Sequence, residues 1–159
     1  MNKFLSFFLT IFLWTGCTDP CQDVLCLNGG TCLEGTCLCP DFYEGADCGA
    51  EERTKYFATY NGTTTYSDTQ GNTNNYSDSK TLTISNKGLT YFNIDGGVFA
   101  MLTSPKSGVF DIPSQASANP IDSTSYFSGS GNISGNQIDY TIVVENNGET
   151  LTMSFIGTK

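Results

Sequence analysis

CQDVLCLNGGTCLEGTCLCPDFYEGADC, running from Cys21 to Cys48, sets the terms for the rest of the 159-residue chain. Six of the seven cysteines fall within these 28 residues, separated by four, five, four, one and eight residues; the seventh is Cys17. A unit this small cannot bury enough apolar surface to offset its conformational entropy, so it needs covalent staples. Six cysteines admit fifteen pairings, and spacing alone does not select one. A zinc site is the competing use of close cysteines. The sequence disfavours it, having neither a C-x-x-C pair nor a single histidine.

The spacing, the turn Asn28-Gly29-Gly30-Thr31-Cys32 and the close formed by Tyr43, Gly45 and Cys48 resemble an epidermal growth factor (EGF)-like domain. That resemblance covers residues 21–48 and implies pairing of first with third, second with fourth and fifth with sixth: Cys21–Cys32, Cys26–Cys37 and Cys39–Cys48. Loops of this size gain about 2–4 kcal/mol per bridge. Calcium-binding members of the family carry an acidic or amide pair and a Glu or Gln before the first cysteine, and an Asp or Asn with an aromatic between the third and fourth. Here those places hold Thr18-Asp19-Pro20 and Leu33-Glu34-Gly35-Thr36. Asp19 and Asp23 alone are a poor set for an ion that takes about six to eight oxygens. No calcium, other metal or cofactor is expected.

Toward the amino terminus only Thr18, Asp19 and Pro20 separate this module from Cys17, and before that stand Met1-Asn2-Lys3 and a mostly apolar run, Phe4 to Trp14. As a helix the run spans about 16 Å against roughly 30 Å of hydrocarbon core, so it reads as a signal peptide and not a membrane span. Thr15-Gly16-Cys17 resembles the lipobox of bacterial lipoproteins, in which cleavage leaves the cysteine as an acylated first residue. The family prefers Leu where Trp14 stands, and Leu13 lies one place earlier. Ordinary cleavage leaving a free thiol is the alternative, but lipidation gives the odd cysteine a fate. The resemblance implies palmitate-type acylation of Cys17, a membrane anchor through it, and a place in the bacterial cell envelope, at the outer membrane or cell surface. At no more than about 3.6 Å per residue, the stapled module then begins within roughly 15 Å of the lipid and serves as a stalk.

Toward the carboxyl terminus, residues 49–54 are polar, lack apolar periodicity and read as a short linker. From Lys55 onward aromatic and β-branched residues alternate with polar ones. Strands are expected at Tyr56–Tyr60, Lys80–Ser85, Leu89–Asp95, Val98–Thr103, Val109–Ile112, Tyr126–Ile133, Gln137–Glu145 and Thr150–Gly157, with turns such as Asp95-Gly96-Gly97 and Ser134-Gly135-Asn136 between them. The period of two assigns Leu82, Ile84, Phe92, Ile94, Phe110, Ile112, Ile138, Tyr140, Ile142, Val144, Leu151, Met153 and Phe155 to an inner face. The expected fold is mainly β: the EGF-like module, then an antiparallel meander closed as a small barrel or curled sandwich. The expected division is a lipoprotein-type signal peptide at 1–16, a lipidated tether at 17–20, the module at 21–48, the linker at 49–54 and the β domain at 55–159. The hairpin texture, with Phe127 to Asn132 and Phe155 to Lys159, resembles small lipocalin-like domains of bacterial lipoproteins. Lipocalins proper open on Gly-x-Trp, whereas the one tryptophan here is Trp14.

Two polar stretches, Ser67–Ser79 and Pro113–Ser125, interrupt the meander and read as solvated loops or as a recognition surface. Tyr66 and Tyr76 are the tyrosines without a strand-packing explanation, which makes them the candidate recognition residues. Catalysis has little to draw on, because without histidine there is no imidazole base. Asp111, Asp139, Glu145 and Glu149 remain as carboxylates for an acid–base pair, but their strand positions and turns suit a solvated surface better. The chain is therefore not expected to be an enzyme. Its formal charge of −9, or −10 once the leader's single Lys3 is removed, opposes binding to nucleic acid or anionic headgroups. Asp122-Ser123-Thr124 resembles a bacterial O-glycosylation acceptor. The function expected is an anchored, non-catalytic protein whose β domain recognises a glycan or a protein, with carriage of a small apolar ligand as the alternative.

Overall fold

A computed structural model describes residues 19–116, 125–146 and 148–159, so Cys17, the leader and Asp122-Ser123-Thr124 lie outside the described residues. The cysteines of the amino-terminal unit form disulfides Cys21–Cys32, Cys26–Cys37 and Cys39–Cys48. They hold two small antiparallel ladders, β1 (Thr31–Leu33) with β2 (Thr36–Leu38) and β3 (Tyr43–Glu44) with β4 (Ala50–Glu51). The unit has almost no apolar interior: Leu25, Leu33 and Leu38 are 75%, 57% and 54% exposed.

The remainder is a closed eight-stranded antiparallel barrel. Its strands are β5 (Thr59–Ser67), β6 (Thr73–Ile84), β7 (Tyr91–Ile94), β8 (Val98–Leu102), β9 (Val109–Ala116), β10 (Tyr126–Ser134), β11 (Gln137–Asn146) and β12 (Glu149–Thr158). Each pairs with the next in sequence, and β12 closes the circle on β5 through pairs running from Thr152↔Ser67 to Thr158↔Asn61. Closure pairs the first and last strands of the meander, which an open sheet would leave as edges.

Alternation fills the interior as read from the sequence. Leu82, Phe92, Ile94, Phe110, Ile112, Ile138, Tyr140, Ile142 and Phe155 are buried, joined by Tyr60, Leu102 and Ile133. The rings form a chain: Phe92 to Phe110 at 5.2 Å, Phe110 to Tyr140 at 6.3 Å and Tyr140 to Phe155 at 5.5 Å between centroids. Gly131 makes room for it, since a Cβ there would stand 2.5 Å from Phe110 Cζ and also meet Tyr140 Cβ. Each ring buried this fully contributes about 1.5–3 kcal/mol. Two inner-face assignments fail: Ile84 is 58% and Leu151 39% exposed. Both stand near the ends of their strands, at the rims.

Several boundaries differ from the expected ones. The first barrel strand is Thr59–Ser67, not Tyr56–Tyr60, and the polar stretch Ser67–Ser79 is mostly the beginning of β6. β9 continues through Pro113 to Ala116, leaving only 117–124 of the second polar stretch outside the described residues. Proline has no N–H for the ladder, and a side chain takes over the pairing. Gln115 Oε1 accepts the Phe99 N–H at 2.9 Å while Gln115 Nε2 donates to the Phe99 carbonyl at 2.7 Å.

Residues 49–54 are not a solvated spacer. Ala50–Glu51 is β4, and Glu52–Tyr56 is a 3-10 helix in which Glu52, Arg53 and Tyr56 are 1%, 5% and 7% exposed. Arg53 donates through Nη1 to the carbonyls of Ser85 at 2.8 Å, Gly88 at 2.7 Å and Tyr91, and pairs through Nη2 with Glu51 at 2.7 Å. Glu52 Oε1 accepts the Lys106 N–H at 2.7 Å and the Tyr56 hydroxyl at 3.2 Å. Burial of these charges is offset by their bonds to loop backbone. The helix thus closes one end of the barrel and ties the disulfide module to it.

Candidate functional site

Among the described residues, the opposite end is lined by polar side chains and carries no helix. Directly paired residues of antiparallel strands share a face, so the interior register that begins with Tyr60 and Leu82 continues upward through Thr64 and Tyr66 on β5 and through Lys80, Asp78 and Tyr76 on β6. Thr64, fully buried, donates its hydroxyl to Asp78 Oδ2 at 2.8 Å. Lys80 Nζ lies 2.8 Å from Asp78 Oδ2 and 3.2 Å from Asp95 Oδ2, with 16% of its side chain exposed. Asp95 is placed by the β7–β8 turn, where it and Gly96 take φ of 51° and 71°, and its Oδ1 accepts the Thr81 N–H at 2.8 Å. Tyr66 and Tyr76 meet edge to face with centroids 5.7 Å apart.

The titration behaviour of these groups follows from the geometry. Burial lowers the Lys80 pKa, but the hydrogen bonds to Asp78 and Asp95 outweigh that and leave it raised. Lys80 first, then Thr64, hold the Asp78 carboxyl below its ordinary value. Burial drives the Tyr140 phenol up, and the charges of Asp95 and Asp78, with Tyr66, add to the shift. Tyr140 therefore remains a neutral hydroxyl beneath a zwitterionic cluster. Toward the rim, a hollow of about 410 Å³ opens between the β5–β6 tip and the β11–β12 hairpin, lined by Asp68, Gln70, Asn146, Glu149, Val144 and Leu151 among others. Asp68 stiffens that tip by accepting the N–H groups of Gln70 and Asn72, both at 2.9 Å.

The tyrosines singled out from sequence are brought together, though on paired strands and not in a loop. The carboxylates weighed for acid–base work are not gathered: Asp111 and Asp139 are exposed on β9 and β11 with β10 between them, Glu145 is exposed on β11, and Glu149 sits at the rim. Among the described residues no group of three His, Cys, Asp or Glu is placed to hold a metal ion. Thr64, Asp78, Lys80, Asp95 and Tyr140 are the members that sequence reasoning missed as a cluster. A signal for part of it existed: Tyr76, Asp78, Lys80 and Leu82 alternate, so carrying the period of two back from Leu82 places all four on one face.

Fold and site define a mainly β protein: a three-disulfide segment docked on an up-and-down barrel that is filled with aromatic rings toward one end and lined by polar side chains toward the other. The chain is 46% identical over 46 residues to lactadherin of Mus musculus, a match covering 26% of this chain and 10% of that protein. The chain thus spans about a tenth of the length of the curated relative it matches. That partial similarity and the three disulfides fit an EGF-like segment at the amino-terminal end. No family model matches the chain. No solved structure matches it.

Proposed function

We propose that this chain is a non-catalytic recognition protein, anchored in the bacterial cell envelope through acylated Cys17, whose disulfide module is a short stalk and whose polar barrel end binds a glycan. The observation that carries the reading is the cup above the filled core, where two tyrosine rings, two carboxylates, an ammonium and hydroxyls converge. Aromatic faces stack on the apolar face of a sugar ring, and carboxylates accept paired hydroxyls. The anchor is supported by the leader and the lipobox-like Thr15-Gly16-Cys17, and the exposed Leu25, Leu33 and Leu38 suit a module held near acyl chains.

The test is a glycan array probed with the purified chain and with the Tyr66→Ala/Tyr76→Ala double variant. Saturable binding that falls at least tenfold in the variant is expected; binding unchanged by the double substitution would remove the cup from the reading. Carriage of a small apolar ligand is favoured by one observation, the 410 Å³ hollow at the rim, which exceeds the roughly 300 Å³ at which ligand sites begin. Against it, the interior below is occupied by Tyr60, Phe92, Phe110, Tyr140 and Phe155. Titration with a fluorescent fatty acid separates the two, since only a carrier takes it up saturably.

A further inference from the structure

The wall of the barrel is uneven. The β7–β8 hairpin turns at Asp95–Gly97, level with Thr81, so β6 has a neighbour on that side only over Leu82–Ile84. Its remaining length, Thr73–Thr81, pairs with β5 alone. Leu82 donates its N–H toward β5, to Ala58, whereas Thr81 accepts the Asp95 N–H from the β7 side. The odd-numbered residues of β6 therefore turn their backbone groups away from β5. Side chains cap the lower part of this edge: Asp95 Oδ1 takes the Thr81 N–H and Asp78 Oδ1 the Ser79 N–H, each at 2.8 Å. Across the gap, Pro113 and Gln115 guard β9. Among the described residues, nothing caps the backbone of Thr73, Asn75 and Ser77 on that side, and all three residues are exposed.

We infer that this free edge pairs antiparallel with the same edge of a second copy of the chain. Two features of the edge select a copy as the occupant. The edge is self-complementary: about a twofold axis at Asn75, Thr73 meets Ser77 and Asn75 meets its own equivalent, which gives about six backbone hydrogen bonds. It is also uncharged from Thr69 to Ser77 in a chain of net charge −9, so two mutually repelling molecules meet there without opposing like charges. Sheet edges in soluble proteins are ordinarily defended by Lys, Pro or a bulge, and this stretch has none. The pairing sets Tyr76 of one copy opposite Asn74 of the other, so the two cups share one continuous sheet.

Sedimentation velocity of the full, oxidised chain over a concentration series tests this. A reversible dimer that grows with added salt is expected, because screening weakens the repulsion between acidic bodies. Asn75→Lys sets two ammonium groups against each other and abolishes the dimer while leaving the circular dichroism spectrum unchanged. Asn75→Cys gives a covalent dimer on mild oxidation, since opposed residues of a hydrogen-bonded pair stand about 5.5 Å apart, within disulfide reach. Thr63→Cys, exposed on the outer face of β5, does not. A wild-type chain that stays monomeric throughout, a dimer indifferent to Asn75→Lys, or cross-linking equal at positions 63 and 75 overturns the inference.

Discussion

At the closed end of the barrel Glu52 and Arg53 are 1% and 5% exposed, and they direct their polar atoms at the backbone of loops 32 to 54 residues away. At the polar end Lys80 keeps 16% of its side chain in contact with solvent and is held chiefly by two carboxylates. Both ends contain charge inside a barrel, yet their partners differ in kind. Charges bound to backbone carbonyls and N–H groups are fixed by the chain itself and act as fasteners. Asp78 and Asp95 also accept backbone N–H groups, from Ser79 and Thr81, but each keeps its other carboxylate oxygen for Lys80, and that ion cluster is what the proposed recognition uses.

The difference is broken most severely at the closed end. Arg53→Ala removes the guanidinium's bonds to three carbonyls and leaves Glu51 without its partner, and should lower unfolding stability by about 3–5 kcal/mol in a denaturant titration. Arg53→Lys should recover little, because one ammonium cannot reproduce the planar fork. A loss below about 1 kcal/mol for Arg53→Ala would mean that the helix is not a fastener. Thr64→Val, nearly isosteric at a fully buried site, removes only the bond to Asp78 and should cost about 1–2 kcal/mol in the same titration.

Acid sharpens the comparison further. Asp78 is held below its ordinary value by Lys80 and then Thr64, so the unfolded chain takes up this proton at a higher pH than the folded one. Its contribution is complete above about pH 4 and disappears as the pH falls through the depressed folded value. Asp78→Asn should flatten that acid limb, as read from unfolding midpoints at successive pH values. The smallest stability effect belongs to Tyr76→Ala: the ring is 56% exposed and has Tyr66 as its aromatic partner, so a cost within about 0.5 kcal/mol is expected. A large cost would make Tyr76 a packing residue and weaken its assignment to recognition.

The parts of the fold legible in the sequence are those where alternation and burial coincide. Gln137–Asn146 and Glu149–Thr158 place Ile138, Tyr140, Ile142 and Phe155 inward at period two, and their strands lie within a residue of the expected bounds. The sequence places a polar stretch at Ser67–Ser79 and ends the first strand at Tyr60, because inward residues beyond those points, Thr64 and Asp78 among them, carry the period without the hydrophobicity. A search for apolar alternation cannot find a strand whose interior is polar. Glu52 and Arg53 read as linker in the sequence for a related reason. Their burial depends on Ser85, Gly88, Tyr91 and Lys106, partners that no local window contains. Of the site, the two tyrosines were legible as unexplained aromatics; the ion cluster beneath them needed the register of β5 on β6.

The junction of β12 with β5 has a bearing on how the molecule comes into being. Asn61 waits for Thr158, almost a hundred residues later, so the ring of strands stays broken until the last segment has been delivered. Until then β5 and β11 each present a bare margin, and such distant partners meet slowly. A stop before Glu149 would leave a ribbon with two unpartnered sides, while the disulfide-bearing segment ahead of it, whose bridges link cysteines 9 or 11 residues apart, could already have formed.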